Sequence, residues 1–257
     1  MVFIGIDMAW SEENHSGLAL LTWDGKRAVL SEMALLRSDE DILGWIHTRS
    51  GTHACISIDA PIIAPNPKGT RRKADGELSR DFRRFDAGVY PANRQTARRA
   101  IGFSQILKGM GFIQDPNFEP RKPVRRQIEV YPHSAMVVLF NREKIIKYKK
   151  GAPEDKQRGI GKLQRQLSRH LPRLDPSVDR FSLLKVCRES PQGRRGRSLK
   201  DLEDRLDAVV CAYVGLYYWW WGKERCRVYG DKDTGYIVTP IDDRFPQTDT
   251  GHHGPSH

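Results

Sequence analysis

Two aspartates each follow a short apolar run of the same texture. The run Ile4-Gly5-Ile6 precedes Asp7, and the run Ile56-Ser57-Ile58 precedes Asp59. Apolar runs of this length are typical of strands that are buried on both faces. If the two strands are parallel neighbours, their carboxylates lie together at the carboxyl ends, where open α/β sheets place their ligands. For either residue alone, the alternative is an aspartate that caps a turn.

Two further acidic residues lie in predicted elements where a charged side chain is unfavourable. Glu129 lies between Ile128 and Val130 in a short predicted strand, although glutamate is a poor strand former. Asp207 lies inside a strongly apolar predicted helix, with Asp204 one turn earlier on nearly the same face. A solvent-facing side chain is the alternative in both elements.

Carboxylates that converge in one place repel one another, and burial raises their pKa values unless a cation intervenes. Hard oxygen ligands of this kind suit Mg²⁺ or Mn²⁺. Two such ions activate a water molecule and stabilise the departing oxygen in phosphodiester cleavage. The four acidic positions therefore predict a site for two divalent ions.

The charge of the chain points to a polyanionic partner. Its 257 residues contain 43 Lys and Arg against 32 Asp and Glu, a formal net charge of +11. Nucleic acid is the commonest partner of so basic a chain, and a merely basic enzyme is the alternative. The arginines predicted to contact phosphates are Arg71, Arg72, Arg83, Arg84, Arg94 and Arg98.

The elements that must position these residues follow the order β-β-β-α-β. Three strands are predicted within residues 2–36, a helix after the N-cap candidate Ser38, and a fourth strand at residues 53–59. A short strand at residues 127–131 and a long helix at about 199–221 come later, and a last strand pair is predicted at residues 225–238. The fold class is therefore α/β.

We predict one domain over residues 1–240, with two basic insertions at about 61–126 and 142–200 and a polar, flexible tail at 241–257. No apolar run is long enough to span a membrane, and the N-terminus has no signal-peptide pattern, so the expected compartment is the cytoplasm. The four cysteines show no C-x-x-C pair and are expected to be reduced and mostly buried.

Four short motifs, taken in order, resemble the ribonuclease H-like (retroviral integrase) superfamily. Within it they are similar to a nuclease family catalogued as a domain of unknown function, over roughly residues 1–240. The motifs are Gly5-Ile6-Asp7, Ile58-Asp59-Ala60-Pro61, Glu129-Val130-Tyr131-Pro132-His133 and Asp204-Arg205-Leu206-Asp207-Ala208. The resemblance implies a ribonuclease H-like mixed five-stranded sheet flanked by helices, and cleavage that leaves 3′-hydroxyl and 5′-phosphate ends.

The resemblance also implies roles for the acidic residues. Asp7 is the expected central ligand that bridges two metal ions, and Asp59 and Glu129 complete the ligand set. Asp207 is expected to hold the ion on the attacking or leaving side, with Asp204 as the reserve candidate for that position. These residues are the expected catalytic set.

Two other functions remain open from the sequence. Sugar kinases and actin-like ATPases share the fold, but they follow the first-strand aspartate with a glycine-rich turn, whereas this chain continues Asp7-Met8-Ala9-Trp10-Ser11. A non-catalytic nucleic-acid- or protein-binding module is the second alternative. The aromatic run Tyr217–Trp221 is read first as core, with base stacking or a homodimer face as alternatives. His133 is either a proton shuttle or an ordinary turn residue.

Overall fold

The computed structural model describes residues 1–245, and its centre is a mixed five-stranded sheet with the order β3-β2-β1-β4-β5. Strands β1, β4 and β5 are parallel to one another, and β2 and β3 are antiparallel to their neighbours. This confirms the predicted α/β class with a mixed five-stranded sheet. The strands are β1 (Val2–Asp7), β2 (Ser16–Trp23), β3 (Ala28–Leu36), β4 (Ala54–Ile58) and β5 (Arg125–Glu129).

The register of the parallel strands decides which acids share a face. Ile6 of β1 lies opposite Ile58 of β4, and Ile58 lies opposite Glu129 of β5. Asp7 and Asp59 therefore occupy the next row, and the Asp59 amide donates to the Ile6 carbonyl at 2.8 Å. Because side chains alternate between faces along a strand, Glu129 lies on the opposite face from Asp7 and Asp59.

Helices cover both faces of the sheet. Their bounds are α1 (Asp39–Arg49), α2 (Lys73–Phe82), α3 (Arg98–Gly109), α4 (Pro132–Leu139), α5 (Pro153–His170), α6 (Arg180–Cys187) and α7 (Gly196–Trp221). One core packs α7 against the face that bears Phe3 and Ile128, and the other core packs α1 and α3 against Ile4, Ile6 and Ile58. The predicted N-cap is confirmed, since the Ser38 hydroxyl accepts from the Asp41 amide at the start of α1.

Two glycines let α7 lie directly on the sheet. A Cβ added to Gly5 would lie 2.0 Å from the carbonyl oxygen of Ala208, and one added to Gly17 would lie 2.1 Å from that of Asp204. The helix backbone therefore touches β1 and β2 without intervening side chains. This contact brings the acidic part of α7 next to the carboxyl end of β1.

The two basic insertions contain more regular structure than the sequence predicted. Helix α2 was not predicted, and its residues Ala74, Leu78 and Phe82 pack against a second sheet. That sheet pairs the predicted strands β6 (Cys226–Asp231) and β7 (Gly235–Pro240) antiparallel. Helix α6 in the second insertion was likewise missed, and it packs on α5.

The C-terminal segment stays packed as far as the structure describes it. Phe245 is buried and stacks on Phe82 with ring centroids 4.4 Å apart, and Ile241 is also buried. Residues 241–245 are therefore packed rather than flexible, and the rest of the predicted tail, 246–257, lies outside the described residues.

The aromatic run at the end of α7 is mainly core. Tyr217, Tyr218 and Trp219 are buried, and the Trp219 indole donates to the Lys122 carbonyl at 2.6 Å. Arg121 lies over the Trp220 ring, 4.3 Å from its centroid, so this partly exposed ring is covered from within the chain. The run therefore closes the end of the α7 core.

The structure also bears on the cysteines and on membrane-spanning helices. Within residues 1–245 no disulfide forms, and Cys55, Cys211 and Cys226 are buried while Cys187 is half-buried. This confirms that most of the thiols are buried, as predicted. None of the described helices combines the length and the apolar character that a bilayer crossing requires.

Candidate functional site

Four of the predicted acids come together at the carboxyl edge of the sheet, and we call Asp7, Asp59, Asp204 and Asp207 the acidic cluster. Asp7 and Asp59 end neighbouring parallel strands on the face that α7 covers. Asp204 and Asp207 lie three residues apart on α7 and are buried, whereas Asp7 and Asp59 are half-buried at the strand ends. The Asp7 and Asp204 carboxyl groups lie within hydrogen-bonding range of each other. Asp7 and Asp59 are thus the more exposed members of the cluster.

Two lysines that the sequence did not single out enter the cluster. The Lys149 ammonium lies 2.8 Å from Asp207 Oδ2. The Lys200 ammonium contacts Asp204 and lies 2.9 Å from Glu203 Oε1. Each lysine compensates part of the buried negative charge. With Glu203 counted, five carboxyl groups face two ammonium groups, so the site carries surplus negative charge.

The pKa values reflect this surplus. Burial raises the pKa of Asp7 and that of Asp59, and the charge of Asp207 adds to both shifts against the opposing charge of Lys149. Burial and Asp7 together raise the pKa of Asp204 to about 8. Only Asp207 is held below its ordinary pKa, because Lys149 and the Tyr148 hydroxyl, which donates to Asp207 Oδ1 at 2.6 Å, outweigh its burial. Within residues 1–245, Asp7 and Asp59 therefore form no ion pair, whereas Asp207 and Asp204 are paired with Lys149 and Lys200.

A divalent cation would supply the positive charge that the acidic cluster lacks, and carboxylates are suitable ligands for it. Carboxylate oxygens are the ligands that Mg²⁺ and Mn²⁺ prefer, and Asp7 Oδ2 is buried without a hydrogen-bond donor. Within residues 1–245, however, no three His, Cys, Asp or Glu side chains converge closely enough to form a ready metal site. Asp207 and Asp204 are instead paired with Lys149 and Lys200. The carboxylate oxygens suit a divalent ion by their chemistry, and binding one would require these side chains to rearrange.

Glu129 does not join the acidic cluster. Its carboxylate receives two hydrogen bonds from the Arg72 guanidinium, at 2.7 and 2.8 Å, and one from the Ile62 amide at 3.1 Å. Arg72 also binds Asp75 at 2.7 Å. Burial raises the pKa of Glu129 to about 7, and Arg72 limits the rise. This buried ion triad of Arg72, Asp75 and Glu129 lies on the face that bears α3, behind the cluster.

The triad corrects one predicted phosphate contact. The Arg72 side chain is 1% exposed and is fully engaged by the two carboxylates, so it is not available to nucleic acid. The expectation that Arg72 contacts phosphates is wrong because its guanidinium points inward, whereas its neighbour Arg71 is exposed. The other arginines with that expected role, Arg83, Arg84, Arg94 and Arg98, are also exposed.

The basic side chains Lys68, Arg94 and Arg98 line a cavity of about 500 Å³ together with Pro65, Pro67 and Gln95, and we call it the basic cavity. The segment that leaves Asp59 leads into it, and the Arg94 amide donates to the Asn66 carbonyl at 3.0 Å. It therefore lies on the same edge of the sheet as the acidic cluster.

His133 lies at the start of α4 beside Tyr148, with ring centroids 5.5 Å apart. Burial and the charge of Lys149 lower the pKa of His133 to about 4. The imidazole is therefore neutral near pH 7 and adds no positive charge to the cluster.

The chain can now be compared with known proteins. A family model described as "Protein of unknown function (DUF429)" matches residues 5–234. The chain belongs to the DUF429 family. The match begins in β1 and ends in the turn between β6 and β7, so it includes all four cluster acids of this DUF429 protein. No curated protein matches the chain.

Replacing Lys149 with methionine tests whether the lysine compensates the cluster charge. We expect Lys149→Met to lower the free energy of unfolding in EDTA by about 1 to 3 kcal/mol, because Asp207 loses a charged partner. The full cost of breaking a buried pair is not expected, since 31% of the Lys149 side chain is exposed. Urea unfolding followed by tryptophan fluorescence measures the change.

A divalent cation is expected to restore the stability of this variant, and to stabilise it more than the wild-type protein. Lys147→Met is the matched control, because Lys147 is exposed and has no ion pair in the described part of the chain. If Lys149→Met unfolds like the control and Mg²⁺ stabilises neither, the cluster is not held by charge compensation.

Proposed function

We propose that this DUF429 protein is a divalent-metal-dependent nuclease with a ribonuclease H-like fold. The observation that carries the proposal is the acidic cluster at the carboxyl edge of β1 and β4, whose carboxylates outnumber their cationic partners. The element order, with an acid at the end of β1, one after β4 and a pair on the last helix, agrees with the resemblance on which the proposal rests.

The residues have separate tasks in this proposal. Asp7 and Asp59 would hold the ions from the strand side, and Asp204 and Asp207 would hold them from the helix side. When bound, Mg²⁺ or Mn²⁺ would supply an activated water and stabilise the leaving oxygen. Lys149 and the Tyr148 hydroxyl keep Asp207 ionised and oriented. Glu129, paired with Arg72, positions the segment after Asp59 through the Ile62 amide.

The surroundings of the cluster suit a phosphodiester substrate. The chain carries a net charge of +11, and the exposed Arg94 and Arg98 lie on the same edge as the cluster. Positively charged side chains hold the phosphates of nucleic acid by releasing its counterions. The combination favours a nucleic acid over a small neutral substrate.

The phosphotransferase alternative receives less support. A nucleotide phosphate needs free backbone amides in the turn after the first-strand acid. In this chain Met8-Ala9-Trp10 stands in place of the glycine-rich turn, and the Ala9 amide already donates to the Ser16 hydroxyl at 3.1 Å. That amide is therefore occupied.

A cleavage assay with the wild-type protein tests the proposal. Labelled single-stranded DNA, single-stranded RNA, duplex DNA and RNA–DNA hybrid are incubated with Mn²⁺, with Mg²⁺ or with EDTA. We expect cleavage of at least one substrate that requires the metal and yields 5′-phosphate ends, with heat of Mn²⁺ binding in a parallel calorimetric titration. Absence of both Mn²⁺ binding and cleavage would contradict the proposal and leave a non-catalytic binding module.

A further inference from the structure

Two large aromatic side chains near the acidic cluster are exposed. Trp10 is 71% exposed and Tyr90 is 78% exposed. Exposed aromatic rings on a basic protein are the side chains on which nucleic-acid bases stack. Neither ring has a role in the fold described above.

Tyr90 is held close to the cluster from two directions. The Lys150 ammonium donates to the Tyr90 hydroxyl at 3.2 Å, and its neighbour Lys149 binds Asp207. On the other side, the Tyr131 hydroxyl donates to the Gly88 carbonyl at 3.2 Å. Burial and the nearby charge of Asp59 together raise the pKa of Tyr131, so Tyr131 lies close to the cluster. The segment that carries Tyr90 is therefore fixed at the rim of the cluster.

Trp10 lies on the β1 side of the same site. It follows Asp7 by three residues, so their Cα atoms are within about 11 Å of each other. The Arg99 guanidinium donates to the Ala9 carbonyl at 2.7 Å and fixes the position of this loop. Arg98, the residue before Arg99, lines the basic cavity. The loop that carries Trp10 thus follows Asp7 directly and is anchored to the residue next to Arg98.

The basic cavity is free to bind phosphates. Within residues 1–245 neither Lys68 nor Arg98 forms an ion pair, and both are exposed. The Arg94 guanidinium donates to the Pro65 carbonyl at 2.8 Å and forms no ion pair with the described residues. Its positive charge is therefore not neutralised by a carboxylate.

We propose that the substrate binds as a single strand, with unpaired bases stacked on Tyr90 and Trp10 and with phosphates held in the basic cavity by Lys68, Arg94 and Arg98. In a duplex the base faces are already stacked on one another and are not offered to a side chain, whereas a single strand presents them. The inference rests on the proposed nuclease function and names the substrate class of that same site.

Binding without metal tests this inference. Fluorescence anisotropy in EDTA measures the affinity for a labelled single strand of about 15 nucleotides, a span that one domain covers, and for the same sequence as a blunt duplex. We expect the wild-type protein to prefer the single strand. Tyr90→Ala is expected to weaken single-strand binding by about 5- to 150-fold, the usual loss for one stacked base, and to leave duplex binding unchanged.

Two variants serve as controls. Tyr90→Phe keeps the ring and should bind the single strand like the wild-type protein. Phe181→Ala removes an aromatic ring that is 79% exposed on α6, away from the site, and should also bind normally. A duplex bound as tightly as the single strand, or equal affinities for Tyr90→Ala and Phe181→Ala, would overturn the inference.

The outcome separates this inference from the proposed function. If single-strand binding depends on Tyr90 but the protein cleaves nothing with Mn²⁺, the single-strand binding mode is supported and the nuclease activity is contradicted. If the protein cleaves a duplex with metal and Tyr90→Ala changes neither binding nor cleavage, the nuclease activity is supported and the single-strand binding mode is overturned. The failure of one claim can therefore be told apart from the failure of the other.

Discussion

Asp7→Asn is expected to abolish divalent-metal binding and metal-dependent cleavage. Asp7 ends the central strand, and its Oδ2 atom is buried without a donor, so the amide nitrogen of asparagine would meet the ion in place of a carboxylate oxygen. Outer-sphere partners of metal sites cost about 10- to 100-fold when removed, and a ligand should cost more than about 100-fold. Calorimetric titration with Mn²⁺ and the cleavage rate measure the loss.

The stability of the same variant gives an independent readout. In EDTA, Asp7→Asn should be at least as stable as the wild-type protein, because the raised pKa of Asp7 means that its surroundings disfavour the charged form. Asp233→Asn is the matched control, since the Asp233 side chain is 74% exposed. Wild-type Mn²⁺ binding and cleavage by Asp7→Asn would remove Asp7 from the proposed ligand set.

Arg72→Met is expected to have the largest effect on stability. The Arg72 side chain is 1% exposed, and removing it leaves Asp75 and Glu129 buried without their shared cation. Breaking a buried ion pair from one side costs about 3 to 5 kcal/mol, a large part of the total stability of a domain. Urea unfolding measures the loss, and Arg71→Met at the exposed neighbouring position should change stability by less than about 0.5 kcal/mol.

A triple variant keeps this prediction testable if Arg72→Met does not fold. Arg72→Met combined with Glu129→Gln and Asp75→Asn removes the uncompensated charges and should recover part of the lost stability. If the triple variant is no more stable than Arg72→Met, the cost comes from lost packing rather than from stranded charge. Equal stability of Arg72→Met and Arg71→Met would show that the triad contributes nothing.

The matching runs before Asp7 and Asp59 were enough to predict two buried strands that each end in an acid. The sequence placed the two acids together only if those strands were parallel neighbours, and the parallel pairing of β1 and β4 meets that condition. The apolar stripe of α7 likewise predicted the helix that covers this edge. These features depend on local pattern, which a sequence displays directly.

The face on which Glu129 lies depends on strand register, which the sequence does not display. Glu129 pairs with Ile58 rather than with Asp59, and a shift of one residue would have placed it on the other face. Register here is decided by the packing of Gln127, which is buried and hydrogen-bonded to Ser104 and Phe112 on the α3 side. Such long-range contacts leave no local pattern.

Charged runs hid two residues that pair with buried acids. Arg72 stands between Arg71 and Lys73, and Lys149 stands beside Lys150, so composition alone does not show which basic side chain meets a buried carboxylate. Lys200 carried a usable signal. It precedes Asp204 by four residues on a predicted helix, a spacing at which opposite charges meet.

The direct contact of α7 with β1 and β2 has a consequence for how finely the site is adjusted. At Gly5 and Gly17 no side chain lies between α7 and the sheet, so no side chain can rearrange there to change their spacing. Even one methyl group at either glycine would lift the helix by at least about 1 Å. The distance between the strand carboxylates and the helix carboxylates therefore depends on having glycine, with no Cβ atom, at both positions.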